Sequence, residues 1–295
     1  GGYQRPSYAN NYNRDPDEER RPKLIDSFQG TTLYGVAPVL QAMKCGRRDV
    51  FTLYLQEGLT GREGERKEKG ALGEAVALAE QAGVDVQYVS KHELNLLTDN
   101  RPHQGMVLDA TPLEYEPMGS LPPAASLTGT PPLWLALDEV TDPQNLGAIL
   151  RCAWFLGAAG VMVSAKNSAP LSATVSKASA GAMELMVVHS VKNLPKFLME
   201  SGENGWGVVG AAWGTEATDV THYSLDTPTI LVMGSEGSGL RTMCERACKD
   251  MLMISSGLSS SVLDAGTGAV DSLNVGVATG ILLHQLLSSA KRNEA

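Results

Sequence analysis

Along the first part of this chain apolar positions follow both helical and strand spacing, and from Leu133 onward they gather into short unbroken runs. Within residues 24–115 the spacing predicts a helix around 35–46 and a strand at 50–55, Val50-Phe51-Thr52-Leu53-Tyr54-Leu55. A helix around 71–82, a strand at 84–89, a polar segment and the apolar stretch Gly105-Met106-Val107-Leu108 follow. That order describes a small α/β domain. The later runs are Leu133–Leu137, Gly160–Val163, Val208–Ala212, Ile230–Met233 and Met251–Ile254. They are continuous rather than alternating, as strands buried on both faces of a parallel sheet are. Between them Leu146, Ile149, Leu150, Ala153 and Trp154 form a helical stripe over 145–156, with Gly157 as its stop. A closing helix is expected from about 274 to 289.

Residues 116–132 carry five prolines and little periodicity, which predicts a linker between domains at 24–115 and 133–295. Residues 1–23 are rich in Asn, Tyr, Arg and Pro and almost without aliphatic side chains, so a disordered tail is expected. Its Asp15, Asp17, Glu18 and Glu19 argue against an intact transit peptide, which would be poor in acid.

Composition changes this picture in three places. At 295 residues, 43% of them hydrophobic, the chain suits two ordinary domains, and no run approaches the roughly 20 apolar residues of a membrane span. The net charge of −9 disfavours broad attraction to phosphate, so any nucleic-acid contact must rest on local patches, a groove shared by two copies, or a larger RNA–protein assembly. Cys45, Cys152, Cys244 and Cys248 form no C-x-x-C pair, and no metal site is expected.

Three strand-to-helix corners carry candidate chemistry. The first runs from Leu137 through Asp142-Pro143-Gln144 into a helix at Asn145, with Arg151 about 9 Å further along the axis. Ligands of open α/β sheets gather at such strand ends. The second, Met233-Gly234-Ser235-Glu236-Gly237-Ser238-Gly239, sets three glycines around one carboxylate. Its spacing matches neither the dinucleotide fingerprint nor a P-loop. Glu236 would repel phosphate, so a cationic or hydroxyl-bearing ligand suits the loop better. The third, Ser272-Leu273-Asn274-Val275-Gly276, opens the last helix with Ser272 or Asn274 as candidate cap, and Gly276 and Gly280 are spaced for close helix packing. Each corner alone reads equally well as an ordinary turn. Their order within one domain is the informative feature.

Taken together, the three corners resemble the motifs of the SpoU (TrmH-type) branch of the SPOUT methyltransferases over about residues 133–288. Leu33-Tyr34-Gly35-Val36-Ala37-Pro38-Val39 and His103-Gln104-Gly105 resemble that family's auxiliary RNA-binding domain, which is similar to ribosomal protein L30e. Asn167-Ser168-Ala169-Pro170-Leu171 and Ser176-Lys177-Ala178-Ser179-Ala180-Gly181-Ala182 look most like the mitochondrial members, which methylate a guanosine ribose in large-subunit rRNA.

The resemblance implies an L30e-like α/β domain followed by a SPOUT domain, a parallel sheet with a deep trefoil knot, working as a homodimer in the mitochondrial matrix. It implies S-adenosyl-L-methionine as methyl donor. Carried over by motif, Asn145, Arg151, Glu236, Ser272 and Asn274 are expected at the catalytic centre, and Met233, Gly234, Gly239, Ile254 and Leu273 around the cofactor. Arginine holds its proton to pH values above about 12, so Arg151 is expected to clamp phosphate and the developing alkoxide rather than act as a base. The sequence departs from the pattern at Gly276, where Ser is usual, and at Ile254-Ser255-Ser256, where Ile-Pro-Met is usual. Arg47, Arg48, Arg101, His103, Gln104 and Lys177 are the expected RNA contacts, against the plainer reading of solvated surface charge. A tRNA substrate, and a non-catalytic RNA-binding assembly factor of the same fold, remain as alternatives.

Overall fold

The computed structural model describes residues 24–59, 66–212, 217–257 and 272–293. The tail expected to be disordered, and most of the Ser/Gly-rich loop after Ile254, lie outside them.

The first sheet is built from β1 (Thr31–Tyr34), β2 (Val50–Gln56), β3 (Asp85–Val89) and β4 (Met106–Ala110), in the order β1-β4-β2-β3. Helices α1 (Val36–Cys45) and α2 (Arg66–Ala82) cover one face over Leu33, Leu53, Leu55 and Leu108. Helix α3 (Lys91–Leu97) closes the other over Tyr34, Tyr54 and Val107. By apolar spacing alone the α3 region is only a polar segment. Its signal is the reciprocal cap, in which Ser90 Oγ accepts from the Glu93 amide at 3.2 Å and the Glu93 carboxylate accepts from the Ser90 amide at 2.8 Å.

The second sheet consists of β5 (Glu116–Pro117), β6 (Leu133–Leu137), β7 (Gly160–Ser164), β8 (Val188–Val191), β9 (Gly207–Ala211), β10 (Thr218–Asp219), β11 (Thr229–Met233) and β12 (Asp250–Met253). Among the described residues its order is β10-β12-β9-β11-β6-β7-β8-β5, and every pairing is parallel. Parallel strands need covering helices on both faces, and the unbroken apolar runs supply two cores at once. Leu135, Leu137, Val161, Val163, Leu231 and Met233 face α4 (Pro143–Leu156) and α9 (Val275–Asn293). The alternate residues Ala136, Met162, Ile230 and Val232 face α7 (Leu194–Glu203) and α8 (Thr242–Ala247).

Residues 116–132, expected to be a linker, also take part in this domain's packing. Glu116–Pro117 adds an edge strand beside β8, Leu121 is buried in the second core, and Trp206 Nε1 donates to the Pro122 carbonyl at 2.8 Å. Proline fits here because an edge strand leaves its missing N–H without consequence.

Helices α5 (Ala173–Ala178) and α6 (Ala182–Leu185) form a shelf between the domains. Gly181, at φ 85°, lies so near α1 that a Cβ there would stand 3.0 Å from the Ala37 carbonyl and 2.8 Å from Gln41 Cγ. Glycine is required at that contact both by backbone conformation and by space.

Candidate active site

The chain leaves β6 through α4 towards β7, and leaves β11 through α8 towards β12 on the opposite side. β6 and β11 are neighbours, so the carboxyl ends of these two strands flank the switch point where open sheets bind ligands.

Asp142 caps α4 by accepting from the Gln144 amide at 2.9 Å, with Pro143 in the first helical position, and this sets Asn145 in the first turn. Asn145 is 7% exposed. Its Nδ2 donates to Glu236 Oε2 at 2.8 Å and its Oδ1 accepts from Asn274 Nδ2 at 2.8 Å. Asn274 Nδ2 also reaches Glu236 Oε1 at 3.2 Å, closing a triangle of side chains drawn from all three corners. Asn274 is held in turn as the cap of α9, its Oδ1 accepting from the amides of Gly276 at 3.0 Å and Val277 at 3.3 Å.

The loop bearing Glu236 is held shut at its base. Ser235 and Gly239 exchange two backbone bonds of 3.0 Å, and a Cβ on Gly234 would lie 2.1 Å from the Gly239 carbonyl carbon. Beyond it, Arg241 donates to Asp138 through its backbone amide at 3.0 Å and through Nε at 2.8 Å. Asp138 is fully buried at the end of β6, so the pair ties the second corner to the first. This role of Asp138 and Arg241 does not follow from the three motifs. The available signal was a carboxylate directly ending a buried apolar run. The Arg241 guanidinium is pushed further towards its charged form, chiefly by its bond to Asp138.

All five residues expected around the cofactor, Met233, Gly234, Gly239, Ile254 and Leu273, line one cavity of about 270 Å³ together with Glu236 and Ser272. Leu252, Val275 and Leu282 complete an apolar wall. On the far side of Glu236 lies a second cleft of about 320 Å³, lined by Thr141, Asp142, Asn145, Ser235 and Ser238. The triangle thus stands between an apolar chamber and a polar one. Such a wall can orient a hydroxyl-bearing ligand against a neighbour carrying positive charge.

Arg151 does not join the triangle. It is exposed on α4, and among the described residues it makes no hydrogen bond or ion pair. Gly276 and Gly280 pack within the fold, where a Cβ would come 3.2 Å from Ala148 Cβ and 3.2 Å from Cys152 Sγ respectively. Burial pushes the thiols of Cys244 and Cys248 up to about 12, which leaves them protonated at neutral pH.

The expected RNA contacts need correction. Arg48 is buried and bonded to Glu184 of α6, and Arg47 donates to the carbonyls of Met183, Glu184 and Met186. The Arg48 guanidinium, enclosed by a carboxylate and a carbonyl, has no face left for phosphate, whereas Arg47 is half-buried and engages these carbonyls through Nη1. His103 is buried too, with Nε2 3.0 Å from Asn95 Oδ1 and Nδ1 accepting from the Gly105 amide at 2.9 Å. Arg101, Gln104 and Lys177 remain at the surface along the domain seam. Lys177 Nζ donates to Gln104 Oε1 at 2.6 Å, and the Arg101 guanidinium meets the Thr174 hydroxyl.

A doubly covered parallel sheet, with a carboxamide–carboxylate triangle at its switch point, defines a ligand-binding enzyme of the α/β class. The SpoU rRNA Methylase family matches residues 132–284, and the RNA 2′-O ribose methyltransferase substrate binding domain matches residues 32–116. The human rRNA methyltransferase 1, mitochondrial, is 36% identical over 292 residues, covering 94% of this chain and 79% of that protein. The 23S rRNA (guanosine-2′-O-)-methyltransferase of Pseudomonas syringae pv. tomato is 34% identical over 262 residues, covering 88% and 97%. In fold, the AdoMet-bound rRNA methyltransferase from Sinorhizobium meliloti is similar with a TM-score of 0.66 at 23% identity, covering 90% and 88%. The chain belongs to the SpoU family of RNA methyltransferases.

Proposed function

We propose that this protein transfers the methyl group of S-adenosyl-L-methionine to the 2′-hydroxyl of a guanosine ribose in mitochondrial large-subunit rRNA. The observation that carries the reading is the Asn145–Glu236–Asn274 triangle, set between an apolar cavity and a polar cleft. When bound, the cofactor supplies an already activated methyl on a positively charged sulfur. The residues present fit it: Leu252, Ile254, Val275 and Leu282 offer apolar walls for a flat base, and Glu236 borders the same cavity with a carboxylate.

The protein's own contribution is alignment, which is worth several kcal/mol when reacting atoms are held in line. Asn145 and Asn274 fix Glu236, and the three together orient the ribose in the cleft. Bound there, the cofactor would supply its methyl group to the ribose oxygen and keep the C–S electron pair, and the hydroxyl proton would pass to solvent. Arg151, without a partner among the described residues, meets the RNA phosphate and the developing negative charge on oxygen. Ser272, at the edge of the cofactor cavity, and Arg101, Gln104 and Lys177 along the seam complete the contacts.

The bacterial relative's name supports a guanosine target in large-subunit rRNA and the human relative's name a mitochondrial site, to which this reading adds the matrix. The working unit in this reading is a homodimer. Val277 and Ile281 of α9 are exposed, and an apolar groove with Cys152, Gly276 and Gly280 runs along that helix. The reading also includes the family's deep knot. Mapping 2′-O-methyl marks across rRNA and tRNA in a deletion strain tests the target. Loss of one guanosine mark in large-subunit rRNA is expected, and loss confined to tRNA contradicts it.

A further inference from the structure

The seam between the domains encloses a charge pair that neither cofactor cavity nor cleft touches. Arg48, just after α1, and Glu184, in α6, have side chains 1% and 0% exposed. They meet through two parallel bonds, Nε to Oε2 at 2.8 Å and Nη2 to Oε1 at 2.9 Å. Their remaining capacity is filled locally, since Arg48 Nη1 donates to the Thr111 carbonyl at 2.7 Å and Ser176 Oγ donates to Glu184 Oε1 at 3.0 Å. Beside them Arg47 Nη1 reaches the Met186 carbonyl at 2.6 Å, one of the acceptors a helix end leaves without an internal partner.

A pair shut away from water gains little stability over an apolar contact of the same shape, because desolvation offsets the attraction. What it adds is direction. A bidentate arginine–carboxylate pair holds its two planes in one orientation, whereas apolar surfaces can slide. The path from this pair to the catalytic corner is short. Ser176 lies on α5, and α5 packs so tightly on α4 that a Cβ on Gly147 would stand 2.4 Å from Ala178 Cβ and 2.8 Å from the Val175 carbonyl oxygen. Gly147 is two residues after Asn145.

We infer that Arg48 and Glu184 are positioning residues for RNA: they fix the 24–115 domain on the α5–α6 shelf, so that RNA held by that domain meets Asn145 and Glu236 in one register. Breaking the pair leaves each RNA-contacting surface intact. It adds the cost of ordering one domain against the other at the moment of binding, which appears as weaker apparent affinity. The inference rests on the methyltransferase reading above.

The test compares the full-length protein with E184Q and with R48K, which keeps the charge and loses the fork. The RNA is an in vitro transcript of mitochondrial large-subunit rRNA, followed by single-turnover methylation over a range of RNA concentrations. In E184Q the half-saturating RNA concentration rises about tenfold, with a smaller rise in R48K, while the saturating rate and the affinity for S-adenosylhomocysteine stay within about twofold. A role in stability alone would lower the saturating rate and the cofactor stoichiometry at unchanged half-saturation, and that result overturns the inference. If E184Q does not fold, R48K decides, and unchanged half-saturation in it overturns the inference equally. If the unmodified protein fails to methylate the transcript, the methyltransferase reading falls instead. The pair is then judged by amide exchange, where faster exchange across 36–45 and 182–186 in R48K supports the lock and identical exchange refutes it.

Discussion

Asn145 Nδ2 lies 2.8 Å from Glu236 Oε2 across a separation of 91 residues, and Asn274 bonds to both of them. Each asparagine is placed by a helix N-terminus and the glutamate by a loop closed on itself. The triangle therefore depends on three local devices, brought together by the pairing of β6 with β11 and by the packing of α9 on α4.

Asn145→Ala removes two sides of that triangle while leaving the Asn274 cap of α9 in place. Turnover is expected to fall on the order of 100-fold through lost alignment. Asn145 does not line the cofactor cavity, so calorimetry should find S-adenosylhomocysteine binding nearly unchanged. Equal losses in binding and turnover would mean that the substitution disturbs the pocket rather than the reacting geometry.

Gly234→Val acts on the other side. A Cβ at this position meets the Gly239 carbonyl group and the Leu240 amide at 2.1 to 2.4 Å, all of it backbone, so the loop must open. Overpacking of this kind costs about 1–3 kcal/mol. Cofactor affinity should drop about tenfold or more, read by isothermal titration. Unchanged affinity would place the pocket elsewhere.

Much of this was legible in the chain. The unbroken runs at 133–137, 160–163 and 230–233 carry enough apolar residues for both sheet faces, and the structure uses alternate ones on each. The five residues that the motifs suggested for the cofactor do share one cavity. The arginines after α1 were not legible in the same way. Arg47 and Arg48 look like exposed charge because their partners sit more than 130 residues further on, in a one-turn helix without a strong local signal. Burial of a charge depends on what packs against it, and spacing carries no record of that. Segment 116–132 joins the two matched domains and also packs on the second sheet, since prolines suit an edge strand as readily as a linker.

His103 gives a pH dependence. Burial, followed by the nearby charges of Lys91 and Lys177, lowers its pKa below the ordinary 6.5. In the fold Nδ1 accepts from the Gly105 amide, so a proton there would break that bond. As pH falls through 6.5 the unfolded chain takes up a proton before the folded one, so stability declines from that point until the lowered folded pKa is passed. Thermal melts from pH 8 to pH 5 should show a falling Tm, and His103→Asn, which retains an acceptor, should flatten the curve. A slope unaffected by the substitution would assign it to other groups.

Arg151→Ala separates activity from stability. The side chain is exposed and without a partner among the described residues, so its removal should change stability by less than about 0.5 kcal/mol. Methyl transfer should nevertheless be lost while S-adenosylhomocysteine still binds. Normal turnover in this variant would remove Arg151 from the mechanism.

The central claim is that the three corners hold an activated methyl beside a ribose hydroxyl. A single-turnover reaction with tritium-labelled S-adenosyl-L-methionine and the large-subunit rRNA transcript, followed by nuclease digestion and separation of nucleosides, tests it most directly. The account predicts label in 2′-O-methylguanosine. Label on a base, or no transfer from a protein that binds both reactants, would contradict it.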